Sequence, residues 1–234
     1  MTLHFRKPEF WPTVITGIAV VVLISLGCWQ LQRLAWKEDI IRRIALGETE
    51  ATLAALPKDE AELRALEFRK VKLQGRFLNE HEFHLTPRYQ GRTFGYHVLT
   101  PFLLTDRRTV LVDRGFVPAD KKAPATRPHS IIKERTTIRG MVRLPYPRAL
   151  VLPDNRVQEN LWFWFDLPAM QRTSGLSFPP IFIEALGKPD PELLPIPSDG
   201  LIALRNDHLM YAITWFGFAL AALLIYGLYH RRKP

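Results

Sequence analysis

The sequence predicts an α+β membrane protein in which two transmembrane helices bracket a mostly antiparallel β domain. Two long blocks without charged residues lie near the ends of the 234-residue chain. Between them, short runs of alternating apolar and polar residues are punctuated by most of the 19 prolines. We therefore divide the chain into a cytoplasmic N-terminus (1–10), a first span (11–32), an exported and mostly β domain with a helical N-terminal part (33–208), a second span (209–229) and a basic cytoplasmic tail (230–234).

The uncharged blocks have the length of membrane spans. They run from Phe10 to Gln32 and from Leu209 to Tyr229, which is 23 and 21 residues. As helices they are about 34 and 31 Å long, close to the ~30 Å hydrocarbon core of a bilayer. The first block is much longer than the apolar part of a signal peptide, and no small-x-small cleavage site follows it. The residues before Cys28 resemble a lipobox, but Leu26 stands where a small residue is expected.

Basic residues after the second span predict the orientation. Arg231–Lys233 follow that span, and only Arg205 shortly precedes it. The positive-inside rule therefore places the C-terminus in the cytoplasm, and two spans return the N-terminus to the same side. The first span alone is ambiguous, because more basic residues follow it than precede it at Arg6 and Lys7.

Changes in periodicity predict the elements of the exported domain. The first helix continues past the membrane through Leu34, Ile40 and Ile44, with Gly47 as its expected break and Pro57 as a stop. Beyond Pro57 the period shortens to two, which is typical of strands. The predicted strands lie in "RKVKLQGRF", "HEFHLTPRY", "GYHVLTPFLLT", "TVLVDRGFVP", "TTIRGMVRL", "LWFWFDL" and "PPIFIEAL".

The sequence lacks the motifs of several enzyme classes. G-x-S-x-G, H-E-x-x-H, the P-loop and G-x-G-x-x-G are all missing, so the search for a catalytic motif is largely negative. His81 and His84 invite a metal site, but on a strand positions i and i+3 project to opposite faces. In "VDRGFVP" we expect a strand that ends in a tight turn at Gly115, with Asp113 and Arg114 in local pairing.

Composition excludes further classes of function. Cys28, in the first span, is the single cysteine, so the exported domain can hold neither a disulfide nor a cysteine-based metal site. The net charge of +9 comes from scattered basic residues on a chain whose main domain faces away from the cytoplasm. We therefore expect positive charge next to a lipid membrane and no nucleic-acid partner.

Two stripes of aromatic and basic side chains lie at the outer ends of the spans. They consist of His208, Tyr211 and Trp215 on the second helix and of Trp29, Arg33 and Trp36 on the first. Each set has helical spacing and shares one face. Under the predicted topology both lie at the same membrane surface, where two antiparallel helices can unite them in one patch.

Ordinary interfacial belts are the alternative to such a patch, because tryptophan, tyrosine and arginine are common at membrane surfaces. Trp215, however, lies roughly 9 Å deeper than Leu209 along the helix, where a partner helix or a flat ligand explains it better. Gly217 and Ala221 form a small-xxx-small step, which predicts close contact with the other helix.

Four separated motifs resemble those of a known family. They are "LGCWQLQRLAWK", "GYHVLTPF" followed by "VLVDRGFVP", "NLWFWFDLPAM" and "NDHLMYAITWF". In this order, between two spans, they resemble the surfeit-locus protein family (Surf/Shy), which are cytochrome oxidase assembly factors. Phe116 departs from the pattern, because the family more often has tryptophan there.

The resemblance implies a non-catalytic assembly factor for haem–copper cytochrome c oxidase, which binds haem a transiently and assists its insertion into the catalytic subunit. It implies as partners that subunit, the haem a synthesis machinery and membrane lipid. The histidine that matches the family motif is His208, the implied haem contact and candidate iron ligand. We add the hypothesis that Arg33 pairs with the haem propionates while the aromatic residues of both stripes flank the porphyrin.

The implied location is the bacterial inner membrane, or the mitochondrial inner membrane in a eukaryote. Two other functions stay open: a scaffold that binds oxidase subunits without contacting haem, and a two-span membrane sensor or enzyme of unknown substrate. Copper delivery is disfavoured, because the exported domain has no cysteine and no paired ligand spacing.

Overall fold

The structure is a computed structural model that describes residues 8–146, 148–201 and 204–231. These residues fall into two compact units, one within Met1–Arg42 and Ala203–Pro234 and the other comprising Arg43–Ile202. The basic residues at 6, 7, 232 and 233 lie outside the described residues, and the orientation in the membrane stays a prediction.

The described residues form four α-helices and six strands. The helices are α1 (Phe10–Thr49), α2 (Glu60–Ala65), α3 (Leu167–Ser174) and α4 (His208–His230). The strands are β1 (Lys70–Phe77), β2 (Phe83–Gln90), β3 (Thr93–Leu104), β4 (Thr109–Pro118), β5 (Thr136–Arg143) and β6 (Phe182–Ala185). The expected α+β class, with apolar helices before and after a mostly antiparallel sheet, is confirmed.

Helices α1 and α4 are long and apolar enough to cross a membrane. Only 11% of the apolar window of each is buried, unlike the core helix of a soluble protein. They pack as an antiparallel pair. The Thr13 and Tyr226 hydroxyls lie 2.6 Å apart towards one end, and further along α1 a Cβ on Gly27 would lie 2.5 Å from the Phe216 ring.

The predicted close contact at Gly217 and Ala221 is wrong, because both residues are exposed. The small residues that face α1 are instead Ala212 and Ala219, which are 1% and 4% exposed. These two alanines lie seven positions apart and so share one face of the helix, whereas Gly217 falls on another face.

The β unit contains a closed ring of strands. Neighbours follow the order β1-β5-β6-β4-β3, and a further pairing of β1 with β3 closes the ring. Strand β2 pairs with the N-terminal half of β3, from Thr93 to Leu99. All pairings are antiparallel except that of β4 with β6, where Val112 lies opposite Ile183 in parallel register.

A β-bulge replaces the tight turn that we expected at Gly115. Strand β4 continues to its last residue, but its register against β3 shifts between Asp113 and Phe116. Arg114 and Gly115 therefore face a single residue of β3, which is the definition of a bulge. Gly115 has φ +114°, and a Cβ there would lie 1.9 Å from the carbonyl oxygen of Ile196.

Two other predictions of local structure are wrong, and one helix was missed. Helix α1 does not break at Gly47 but ends at Thr49. The glycine instead allows close packing, since a Cβ there would lie 2.3 Å from the backbone oxygen of Phe68. The expected strand at 161–167 contains only an isolated bridge from Trp162 to Leu85. Helix α3 begins where that strand was expected to end, because Asp166 caps its N-terminus. Helix α2 was not predicted at all.

Two apolar clusters occupy the two sides of the sheet. One lies within the ring of strands and is closed by Leu56 and Leu63. The other lies on the outer face of β2, β3 and β4, where α3 and the fully buried Trp162 cover it. The segment before α3 therefore serves as a cover for the sheet.

Candidate functional site

Helix α4 begins at His208, and the His208 side chain contacts a polar residue of α1. Its Nδ1 lies 2.7 Å from Oε1 of Gln30, a side chain that is only 9% exposed. An amide oxygen only accepts hydrogen bonds, so Nδ1 carries the hydrogen and donates it. The neutral imidazole then keeps the lone pair on Nε2, the nitrogen that can bind a metal ion.

Gln30 was not singled out from the sequence, although it stands within the first quoted motif. A polar side chain inside a predicted membrane span was the signal that could have found it, because such residues are costly there and commonly functional. Its contact places His208 and the outer end of the first predicted span at the same end of the α1–α4 pair.

The other predicted residues of α1 form one group on its surface. The Arg33 guanidinium carbon lies 5.8 Å from the ring centroid of Trp29 and 5.1 Å from that of Trp36. The two indoles are about half exposed. A guanidinium held between two rings keeps its N–H donors for an anion, because cation–π contact uses its charge and flat face.

The predicted residues of α4 diverge. Trp215 is half-buried and meets Phe218 edge to face at 6.2 Å, whereas the Tyr211 side chain is exposed. The structure thus brings His208 against α1 but leaves Tyr211 on the outer surface. Near the same end, Oδ1 of Asn206 is buried without a hydrogen-bond partner among the described residues.

These groups suit a flat ligand that has a metal at its centre and acidic groups at its edge. The His208 Nε2 atom would bind the metal of such a ligand, and Gln30 would hold the ring in the required tautomer. Arg33 offers a planar cation for carboxylates. The chemistry of these residues therefore fits a haem.

Of the two histidines that suggested a metal site in the β unit, His84 uses both of its ring nitrogens in contacts with neighbouring side chains. The Trp162 indole N–H donates to Oδ1 of Asn160 at 2.8 Å, which directs the Asn160 amide N–H₂ towards Nδ1 of His84 at 3.2 Å. Nε2 of His84 must then carry the hydrogen, and it donates to Glu82 at 2.8 Å. In the described part of the chain, no group of three or more potential ligands is close enough to hold a metal ion.

Glu82 belongs to a buried ionic cluster. Its carboxylate also accepts a hydrogen bond from Arg127, which is 4% exposed and bonds the Ser130 hydroxyl at 2.8 Å. Burial alone would raise the pKa of Glu82, but the hydrogen bonds from His84 and Arg127 lower the pKa below its ordinary value. The carboxylate therefore stays charged inside the domain.

The expected local pairing of Asp113 with Arg114 is wrong, because the bulge gives the two side chains separate partners. Asp113 accepts hydrogen bonds from Nδ1 of His97 at 2.8 Å and from the Gly115 backbone at 3.0 Å. Arg114 donates to the carbonyl oxygen of Ser130 instead.

Comparison with known proteins assigns the family. The profile of the SURF1 family matches residues 17–220, which is most of the chain. This chain belongs to the SURF1 family. The chain is 35% identical over 228 residues to surfeit locus protein 1 of Gallus gallus, covering 90% of this chain and 73% of that protein.

The likeness extends to human and bacterial members of the SURF1 family. Surfeit locus protein 1 of Homo sapiens is 36% identical over 217 residues, covering 86% of this chain and 71% of its own length. A SURF1-like protein of Rickettsia conorii is 34% identical over 226 residues, covering 92% of this chain and 89% of its own. The matched region contains both residues of the His208–Gln30 contact as well as Arg33.

Proposed function

We propose that this chain is a membrane-bound, non-catalytic assembly factor for a haem–copper cytochrome c oxidase and that it assists the insertion of haem a into the catalytic subunit. Membership of the SURF1 family supports the assembly role. The observation that carries the haem role is the Gln30–His208 contact, which fixes a metal-binding tautomer at the end of a helix pair.

Each residue of the site has a task in this proposal. His208 offers Nε2 to the iron of the haem cargo, and Gln30 keeps Nδ1 protonated and the ring oriented. Arg33 pairs with the propionates, and the flanking indoles Trp29 and Trp36 add apolar surface beside the porphyrin. Trp215 and Tyr211 supply further aromatic surface on α4.

The proposal includes a location and partners. The protein resides in the bacterial inner membrane, or in the mitochondrial inner membrane of a eukaryote, with both termini in the cytoplasm or matrix. The two apolar helices support a membrane location. The oxidase catalytic subunit and the haem a synthesis machinery are its partners. A fusion reporter at the C-terminus tests the orientation, and a signal from the outer side would contradict it.

The haem role is tested by an absorption spectrum of the full-length protein, purified in detergent from cells that make haem a. We expect bound haem in the unaltered protein and its loss or a spectral shift in His208→Ala. Gln30→Leu should weaken haem binding about 10- to 100-fold, as expected for the partner of a metal-ligating histidine. Gln32→Leu is the matched control, because it makes the same chemical change at an exposed position of α1.

Other outcomes separate the competing functions. A colourless protein whose loss still abolishes oxidase activity would favour a scaffold that grips oxidase subunits. Unchanged haem a oxidase activity after deletion of the gene would contradict the assembly role itself. Equal haem content in Gln30→Leu and Gln32→Leu would contradict the role assigned to the Gln30 contact.

A further inference from the structure

A cleft of about 550 Å³ opens in the β unit, beside the Glu82–Arg127 ion pair, whose Arg127 belongs to its lining. It lies between the residues that lead into β5 and the proline-rich segment after β6. Its apolar lining includes Phe77, Ile132, Ile138, Leu193, Leu194 and Pro195. A cavity of this size and composition is typical of a site for a small organic group or for a few residues of a peptide.

Most of the charged residues that line this cleft are basic. Arg114, Lys121, Arg127 and Lys188 line it, whereas Glu192 is the one acidic residue among the described lining residues. Arg127 is already bound to Glu82 and is therefore neutralised. The others leave a clear excess of cations beside an apolar surface, which attracts an anion.

Arg114 is a buried cation of this lining that forms no salt bridge within the described residues. Its side chain is buried, with only 8% of the residue exposed, and its contacts within the described residues are with neutral groups: the Ser130 carbonyl, the Asn79 amide oxygen at 3.5 Å and the Phe77 ring at 4.4 Å. Burial lowers the pKa of Arg114 to about 10, although the nearby Glu82 carboxylate opposes this shift. A buried cation without an anion of its own is costly.

We propose that this cleft binds an organic carboxylate, with the acidic group against Arg114 and the adjoining carbon chain on the apolar lining. Lys188 at the exposed rim adds long-range attraction. A planar guanidinium matches a carboxylate in shape and charge, and the Phe77 ring lies 4.4 Å from the guanidinium carbon of Arg114. The carboxylate belongs either to an acidic segment of a polypeptide or to a free aliphatic acid, and both present the same chemistry.

This site shares no residue with the proposed haem site. Its failure would leave the haem proposal intact, and a colourless His208→Ala protein should bind carboxylates as the unaltered protein does. The two proposals are therefore tested independently on the same full-length preparation.

The test measures binding of two pairs of probes to the full-length protein in lipid nanodiscs by ligand-observed NMR titration. The first pair is hexanoate and its neutral twin hexanamide. The second is acetyl-Leu-Glu-Leu-amide and acetyl-Leu-Gln-Leu-amide. We expect saturable binding of at least one acid and much weaker binding of its neutral twin. Hexanoate binding indicates a free acid as the source, and binding of the acidic peptide alone indicates a polypeptide.

Variants assign the binding to the cleft. Arg114→Met should weaken binding of the acid about 10- to 100-fold, and Arg114→Lys should restore part of it. Lys188→Gln, at an exposed position that tolerates change, should weaken binding about two- to fivefold. Lys72→Gln is the control, because it removes the same charge from an exposed position of β1 that does not line this cleft.

Three results would overturn the proposal: no saturable binding of either acid, equal binding of an acid and its neutral twin, or unchanged affinity in both Arg114→Met and Lys188→Gln. If Arg114→Met does not fold, Lys188→Gln decides the outcome, since its effect must exceed that of Lys72→Gln.

Discussion

Replacing Glu82 with glutamine should destabilise the β unit strongly. Glu82 is 9% exposed and binds two side chains, Arg127 at 4% exposure and His84 at 5%. Glu82→Gln keeps the shape but leaves the Arg127 cation buried without its counterion. Breaking a buried ion pair in this way costs about 3–5 kcal/mol. For a domain of this size that loss corresponds to a fall in Tm of about 6–20 °C.

Thermal unfolding of the full-length protein in detergent, followed by circular dichroism, measures this effect. Asp154→Asn is the control, because it breaks an exposed ion pair: the Asp154 side chain that binds Arg148 is 88% exposed. Such a pair is worth about 0–1 kcal/mol. The double variant Glu82→Gln with Arg127→Met should recover part of the stability, because it leaves no unpaired buried charge.

The pH dependence gives a second measurement on the same pair. The pKa of Glu82 in the folded protein lies below the ordinary value of 4.5. Its ionised form therefore stabilises the fold above about pH 4.5, and this stabilisation is lost as the pH falls through the lower folded-state pKa. Glu82→Gln should lack this acid-side loss. A Tm shift no larger than that of Asp154→Asn, with an unchanged acid profile, would refute the argument.

Two further substitutions test backbone packing. Gly27→Leu should separate α1 from α4, because even a Cβ would lie 2.5 Å from the Phe216 ring; a cysteine pair engineered across the two helices should then cross-link less, and unchanged cross-linking would contradict the packing. Gly115→Ala should destabilise the β unit by at least about 1–3 kcal/mol from backbone strain alone, because the residue has a positive φ and faces the Ile196 carbonyl. Chemical denaturation measures this loss, with Gly91→Ala as the control for positive φ without a neighbouring atom; equal losses in the two variants would argue against the close contact.

Elements with a strong local pattern were predictable from the sequence. The uncharged blocks gave α1 and α4, and period-two alternation located all six strands within a few residues. In β1 the buried positions alternate from Val71 to Phe77, as a strand with one buried face requires. These patterns are readable because burial follows a fixed period along one element.

Features that depend on distant contacts were not predictable. The run at 161–167 has strand composition, yet only Trp162 pairs with β2, through its backbone to His84 and Thr86. Asn160 fixes this position by binding the Glu82 carbonyl and the His84 ring from about 80 positions away. Closure of the ring by β1 and β3 leaves no local pattern either. At the site, spacing and the family motif singled out His208. Gln30 was visible as a polar residue in an apolar span, but its pairing with His208 depends on the contact between the two helices.

The place of β6 in the ring determines when the domain can be completed during synthesis. This four-residue strand fills the gap between β4 and β5, although it follows both in the chain. Until Ala185 has emerged, β4 and β5 each present a row of unsatisfied backbone hydrogen-bonding groups. A nascent chain thus carries two open strand edges from the completion of β5 at Arg143 until β6 has been made, and the last strand to arrive removes both at once.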